Sequence, residues 1–175
     1  GTWGGHIIEH NDTFDTVKET GDHGTINSWG RDRFWHPKYN VMTQITDENP
    51  ALILADVVEP IIIRHNRLRC DRGWDIDLDD GSSNYQIYNN LCLNGGIKLR
   101  EGFYRTVENN IIVNNTLHPH LWFKNSGDVF SRNIVMTKYK PIRVYGWGRE
   151  VDYNIFTDSL AYLAARQLGG DVHSI

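Results

Sequence analysis

The chain has 175 residues, 18 of them basic and 22 acidic for a net charge of −4, with 39% hydrophobic residues and two cysteines. That length suits one domain around a single core. The acidic balance offers no basic stripe for a nucleic-acid backbone, and no run approaches the ~18 apolar residues of a membrane span. Cys70 and Cys92 are too few for a disulfide framework and are not spaced like a zinc site, so they are expected as free core thiols.

From the N-terminus, the first element is an apolar residue followed by two variable positions and an asparagine, Ile8 to Asn11. The same unit recurs as Ile63 to Asn66, Ile87 to Asn90, Val107 to Asn110, Phe130 to Asn133 and Val151 to Asn154. From Asn66 onward the asparagines step by 24, 20, 23 and 21 residues, the period of a solenoid. Ile, Val and Phe at alternate positions favour strands, and the leucine ladder of leucine-rich repeats is missing. These features predict an all-β chain wound as a right-handed parallel β-helix, a single domain over 1–175 with coils of about 22 residues. The asparagines are read as a structural column at a buried bend, where Asn tolerates left-handed backbone and its amide bonds from coil to coil.

Between Asn11 and Asn66 the period lapses for 55 residues, enough for two coils plus a loop or for one coil plus a long excursion. A loop insertion is placed at 21–39, where Gly, Asp, His, Arg and Trp crowd together without periodicity. Its His23, Trp29, Arg31, Arg33 and Trp35 suit a flap over a cleft, with rings for stacking on sugars and guanidinium groups for hydroxyls or carboxylates. Packing of the loop on the solenoid is the alternative.

A second set of strands aligns by its apolar residues: Ile76 to Gly81, Ile97 to Gly102, Leu121 to Asn125 and Ile142 to Gly146. With neighbouring coils about 4.8 Å apart, the outward positions form one column of Asp77, Lys98, Trp122 and Arg143. A second column holds Asp79, Arg100, Lys124 and Tyr145, and a third, at the turn, Asp80, Glu101 and Asn125. Acids, cations and rings on one face suit a saccharide, and glycosidic cleavage commonly uses two carboxyl groups. Glu101 is the candidate general acid/base and Asp79 the candidate nucleophile or base, with Asp77 and Asp80 close behind. A solvated face or a calcium site is the other reading of the Asp75 to Asp80 run.

His118 and His120 flank Pro119 and could contact substrate, bind metal or hold a turn. Asp158 or Ser159 caps a short helix through Leu168, with Gly169 as its stop. The final Asp171 to Ile175 reads as one more strand, and both ends read as cut from a longer protein, since a solenoid ordinarily carries polar caps.

The asparagine-marked coils, the Asp-Ile-Asp-Leu-Asp-Asp-Gly of 75–81, the Leu-Arg-Glu-Gly of 99–102 and the closing Gln-Leu-Gly-Gly-Asp-Val-His-Ser of 167–174 resemble bacterial right-handed β-helix proteins. Among these are pectate-lyase-like proteins and glycoside hydrolases, including β-xylosidases and α-L-fucosidases. The resemblance implies a secreted or periplasmic glycoside hydrolase with a carbohydrate substrate. In β-helical xylosidases an aspartate nucleophile and a glutamate acid/base lie about one coil apart, as do Asp79 and Glu101, while Asp77 and Asp80 give slightly different spacings. Two alternatives accompany it: a polysaccharide lyase on the same scaffold, using Lys or Arg as base and often calcium, and a non-catalytic carbohydrate-binding or adhesin β-helix. No cofactor is expected for the hydrolase, with calcium as the one candidate ion.

Overall fold

The computed structural model describes residues 3–175. The first coil comprises β1 (Ile7–Glu9), β2 (Asp12–Thr13) and β3 (Gly24–Trp29); an excursion follows, carrying α1 (Tyr39–Glu48) and a 3-10 turn (Pro50–Leu54). The next three coils are β4 (Ile61–Arg64), β5 (Arg67–Leu68) and β6 (Trp74–Asp79); β7 (Tyr85–Tyr88), β8 (Leu91–Cys92) and β9 (Ile97–Leu99); and β10 (Arg105–Glu108), β11 (Ile111–Ile112) and β12 (Leu117–Pro119). Two further coils contribute β13 (Val129–Ser131) with β14 (Ile134–Val135), and β15 (Glu150–Asp152) with β16 (Ile155–Phe156), before α2 (Ser159–Gln167). Each strand pairs in parallel with its counterparts one coil away, giving sheets of six, six and four strands. The chain is therefore a parallel β-helix.

The alternating residues of the repeat form the core. Ile63, Ile87, Val107, Phe130 and Val151 stand in register along the first sheet. Leu68, Cys92, Ile112, Val135 and Phe156 do so along the second. All ten are buried, and burying a side chain of this size fully contributes about 1.5–3 kcal/mol. Cys70 and Cys92 are buried and unpaired, as expected.

The asparagine column forms as expected, with one change of detail. Asn110 Oδ1 accepts from both the backbone N–H and the side-chain amide of Asn90, each at 3.0 Å, and Asn133 Oδ1 serves Asn110 in the same way. The left-handed backbone lies one residue earlier than the asparagine: His10, His65, Asn89, Asn109, Arg132 and Tyr153 have φ between 54° and 58°. The Asn side chain is thus selected for hydrogen bonding, and the bend falls on its neighbour. At the far end Asn154 donates from its backbone to Ser174 Oγ and from its amide to Asp171 Oδ1. Asp171 to Ile175 is not the expected strand, although Ile175 exchanges backbone hydrogen bonds with Asn154 and Phe156 of the last coil. Asp158 caps α2 by accepting from Leu160 N at 2.8 Å, and Gly169 past its end has φ +94°.

The insertion differs from the expected 21–39. Residues 24–29 form β3, in register with β6 from Gly24↔Trp74 to Trp29↔Asp79, and the excursion runs from Gly30 into α1 and the 3-10 turn. It brings a core of its own, in which Phe34, Met42 and Ile53 enclose Phe103 and Phe123 from the coils. Ring centroids lie 5.4 Å apart for Phe34 and Phe103 and 4.8 Å for Phe103 and Phe123. No helix of the described residues is long and apolar enough to cross a membrane.

Candidate functional site

Register in the third sheet decides which side chains meet. Ile76↔Ile97, Asp77↔Lys98 and Leu78↔Leu99 pair as the apolar alignment requires. The next rung, however, is Leu117-His118-Pro119, with His118 opposite Lys98, and His120 then bridges to Ile142. The outward columns are therefore Asn27, Asp77, Lys98, His118 and Trp29, Asp79, Arg100, His120. Trp122 does not project from this face. It is buried inside the coil, with its indole donating to Leu99 O at 2.9 Å. Arg143 stands one residue past the bridge, and Lys124 and Tyr145 lie in a separate cleft beside α1.

The asparagine column carries the signal for the correct register. Asn90 precedes Ile97 by seven residues and Asn110 precedes Leu117 by seven, which sets the His118 rung; the rule is confined to these two coils, since Asn66 precedes Ile76 by ten and Lys140, seven past Asn133, bonds Leu117 O and so stands opposite His118. Aligning on Leu121 instead moves the third rung by four residues and shifts every later one relative to it.

Four charges meet at the centre of the site. The buried ammonium of Lys98 lies 3.1 Å from Asp77 Oδ1, 3.1 Å from Asp79 Oδ2 and 3.7 Å from Asp22 Oδ1, and 4.2 Å from the centroid of the Trp74 ring. Asp22, Asp77 and Asp79 present oxygens within 4.8 Å of one another. This is the set that could hold calcium among the described residues, and Lys98 places its own positive charge there. Asp77 makes no directed hydrogen bond, so its partner is the charge of Lys98. Burial pushes the Asp77 carboxyl up to about 6, against the pull of Lys98. Burial also raises Asp79, but Lys98 and Arg100 outweigh it and hold that carboxyl below the ordinary aspartate value.

Arg100 joins the second group. Its guanidinium contacts Asp79 Oδ1 at 3.1 Å, Asp80 Oδ1 at 3.5 Å and Glu101 Oε2 at 2.8 Å. The expected pair, Asp79 and Glu101, thus converges on one cation rather than facing opposite walls. Glu101 is buried, its other oxygen accepting from the Trp35 indole at 3.1 Å. Burial raises its carboxyl above the ordinary glutamate value, and Arg100 and Trp35 only partly offset this. Asp80, at φ 41°, and Gly81, at φ +83°, make the turn that aims these acids. A Cβ on Gly81 would lie 2.9 Å from Trp35 Cδ1, so this close approach of the excursion requires glycine.

The remaining expected residues divide. Arg31 lies between two indoles, 4.8 Å from Trp29 and 5.1 Å from Trp35, and donates to Asp80 Oδ2 at 2.8 Å. His23 stacks on the half-exposed Trp29 at 6.0 Å. Arg33 ties the excursion to Asp56 and does not reach the cleft. Its isolated pairing, invisible to local pattern, removes it from the binding set. His118 is buried and bonded through Nε2 to Asn115 Oδ1 at 2.8 Å, which marks it as a turn residue. Asp75 is likewise structural, accepting backbone N–H groups from Cys70, Asn94, Gly95 and Gly96. His120 lines the cleft, and burial, with Lys98 and Arg100, pushes its imidazole down to about 4. Above that value it is neutral.

An open cleft of about 330 Å³ over these charges is lined by Asp22, Trp74, Lys98, Arg100, His120 and Arg143, among others. Trp74 and Asp22 were not anticipated as site residues. Trp74 has the parity of inward Ile76 and Leu78, yet at the strand's start its ring flanks Lys98. Asp22 comes from the turn before β3, with only its unusual local composition as a signal. No protein-family model, curated protein or solved structure matches the chain.

Proposed function

We propose that the chain is a glycoside hydrolase acting on an oligosaccharide or polysaccharide, with Asp79 as nucleophile or base and Glu101 as general acid. The observation that carries this reading is the convergence of two carboxyls on one guanidinium, with Arg100 3.1 Å from Asp79 and 2.8 Å from Glu101, in surroundings that lower the Asp79 carboxyl and, by burial, raise that of Glu101. Environments that drive two acids apart assign the base and the acid. In the reaction Glu101 gives its proton to the departing glycosidic oxygen as the anomeric C–O bond breaks. Asp79 meets the positive charge that develops on the sugar, directly or through an attacking water. Arg100, with its side chain 36% exposed, lines the cleft and links both acids to it. Trp29, in register with Asp79, offers an exposed ring one rung away for stacking a sugar face.

The test is a glycan panel with Glu101→Gln and Asp79→Asn. Both variants should lose a hundredfold to ten-thousandfold in turnover, read well below each variant's thermal midpoint because Asp79→Asn also gives up a buried partner of Lys98 and Arg100. Parent-level rates in both would end this assignment, and glycan binding without turnover by the parent would leave a binding module. A second reading, a uronate lyase, is supported by neutral His120 beside Lys98, Arg100 and Arg143, a base next to cations that suit a sugar carboxylate. It requires a product with ultraviolet absorbance and activity that survives Glu101→Gln.

A further inference from the structure

The excursion and the coils enclose a second cleft, of about 510 Å³, lined by Tyr39, Thr43 and Asp47 of α1 and by Phe123, Lys124, Asn125 and Tyr145. Its floor is a run of rings: Phe123 and Tyr39 stack at 4.8 Å, and Tyr39 and Tyr145 at 4.4 Å. Phe123 is buried and Tyr145 is 46% exposed. The run continues through the Phe103–Phe123 stack to the coil that bears Glu101, two residues before Phe103. Around the rings stand a carboxylate, an ammonium, a carboxamide and a hydroxyl, and the side chains of Asp47, Lys124 and Asn125 are exposed. An apolar ring face with mixed donors and acceptors at its edge is the chemistry that recognises a pyranose, whose C–H face stacks while its hydroxyls point outward.

We propose that this cleft is a second saccharide subsite, and that the substrate is a chain of several sugars lying along the solenoid axis rather than a small glycoside. The proposal rests on the saccharide reading of the Arg100 cleft and adds the length of its ligand. Phe123 and Tyr145 belong to the coils after Glu101, and each coil advances the surface by about 4.8 Å, a step comparable to one sugar residue. A ligand with its scissile bond at Glu101 therefore reaches the Tyr145 ring one or two sugars further on. A monosaccharide does not.

The experiment measures binding by calorimetry of xylo-, cello-, manno- and galacturono-oligosaccharides, from monosaccharide to hexasaccharide, to the intact chain and to Tyr145→Ala and Lys124→Ala. For the series that binds, affinity should rise with length in the parent. Tyr145→Ala should lose roughly tenfold for the longest members and little for the shortest. Lys124→Ala keeps the rings, including the Tyr145 stack on Tyr39 of α1, and should show a smaller loss confined to the same long ligands. Length-independent affinity, equal binding of long ligands by both variants, or no binding by any series would overturn the proposal. Turnover is read separately: length-dependent binding without hydrolysis would sink the hydrolase and leave this subsite, whereas hydrolysis with unaltered variant binding would do the reverse.

Discussion

Asp77→Asn isolates the electrostatic cost built into the centre of the site. Asp77 is fully buried and its carboxyl is pushed from 3.8 to about 6. The folded chain therefore holds this proton more tightly than the unfolded chain. Stability from this group is fully present below about pH 4, declines as pH rises towards 6 and is absent above. The gap corresponds to about 3 kcal/mol. Asparagine has nearly the same shape and does not titrate, so the stability of the variant minus that of the parent should increase by about 2 to 2.5 kcal/mol between pH 4 and pH 7. Asp79, held ionised below its ordinary value, contributes almost equally to both chains over this range. Urea denaturation at several pH values, followed by tryptophan fluorescence, measures the difference directly. Parallel pH profiles, or a variant that loses ground as pH rises, would show that the carboxylate is not penalised there and that Lys98 neutralises it completely.

Asn110→Ala should destabilise the chain by about 3 kcal/mol or more in the same assay. It removes the acceptor used twice by Asn90 and leaves buried partners on both neighbouring coils unsatisfied. Lys98→Met should turn the cage of Asp22, Asp77 and Asp79 into a calcium site: millimolar calcium should raise the variant's thermal midpoint by about 3 °C per kcal/mol of binding energy and leave the parent unmoved. A parent that responds to calcium or chelator would contradict the role given to the ammonium.

The fold was legible because its determinants repeat. A buried Asn with one amide can bond to the coils on both sides, so its recurrence every 20 to 24 residues announces both the period and the bend. Alternating Ile, Val and Phe around it can fill a coil only as strands. The register of Asp77 with Lys98, and hence the gathering of Asp79, Arg100 and Glu101, was legible from the matching Ile-x-Leu pairs, Ile76 with Leu78 and Ile97 with Leu99, and not from the asparagines, since Asn66 precedes Ile76 by ten residues and Asn90 precedes Ile97 by seven. Where local composition supplied a second plausible apolar pair, at Leu121 and Phe123, pattern alone chose the wrong one and turned Trp122 outward.

The excursion shows what lay beyond local pattern. Its helix has few buried residues of its own, Met42 and Thr46, and owes its position to Phe103 and Phe123, far away in the chain. A helix supported mainly by partners outside it leaves little trace in its own periodicity. Likewise, whether Glu101 meets solvent or the Trp35 indole, and whether three acids face calcium or Lys98, depends on long-range approach. Residue types settle which groups can ionise; burial and the nearest opposite charge, which exist only once the coils are stacked, settle which of them do.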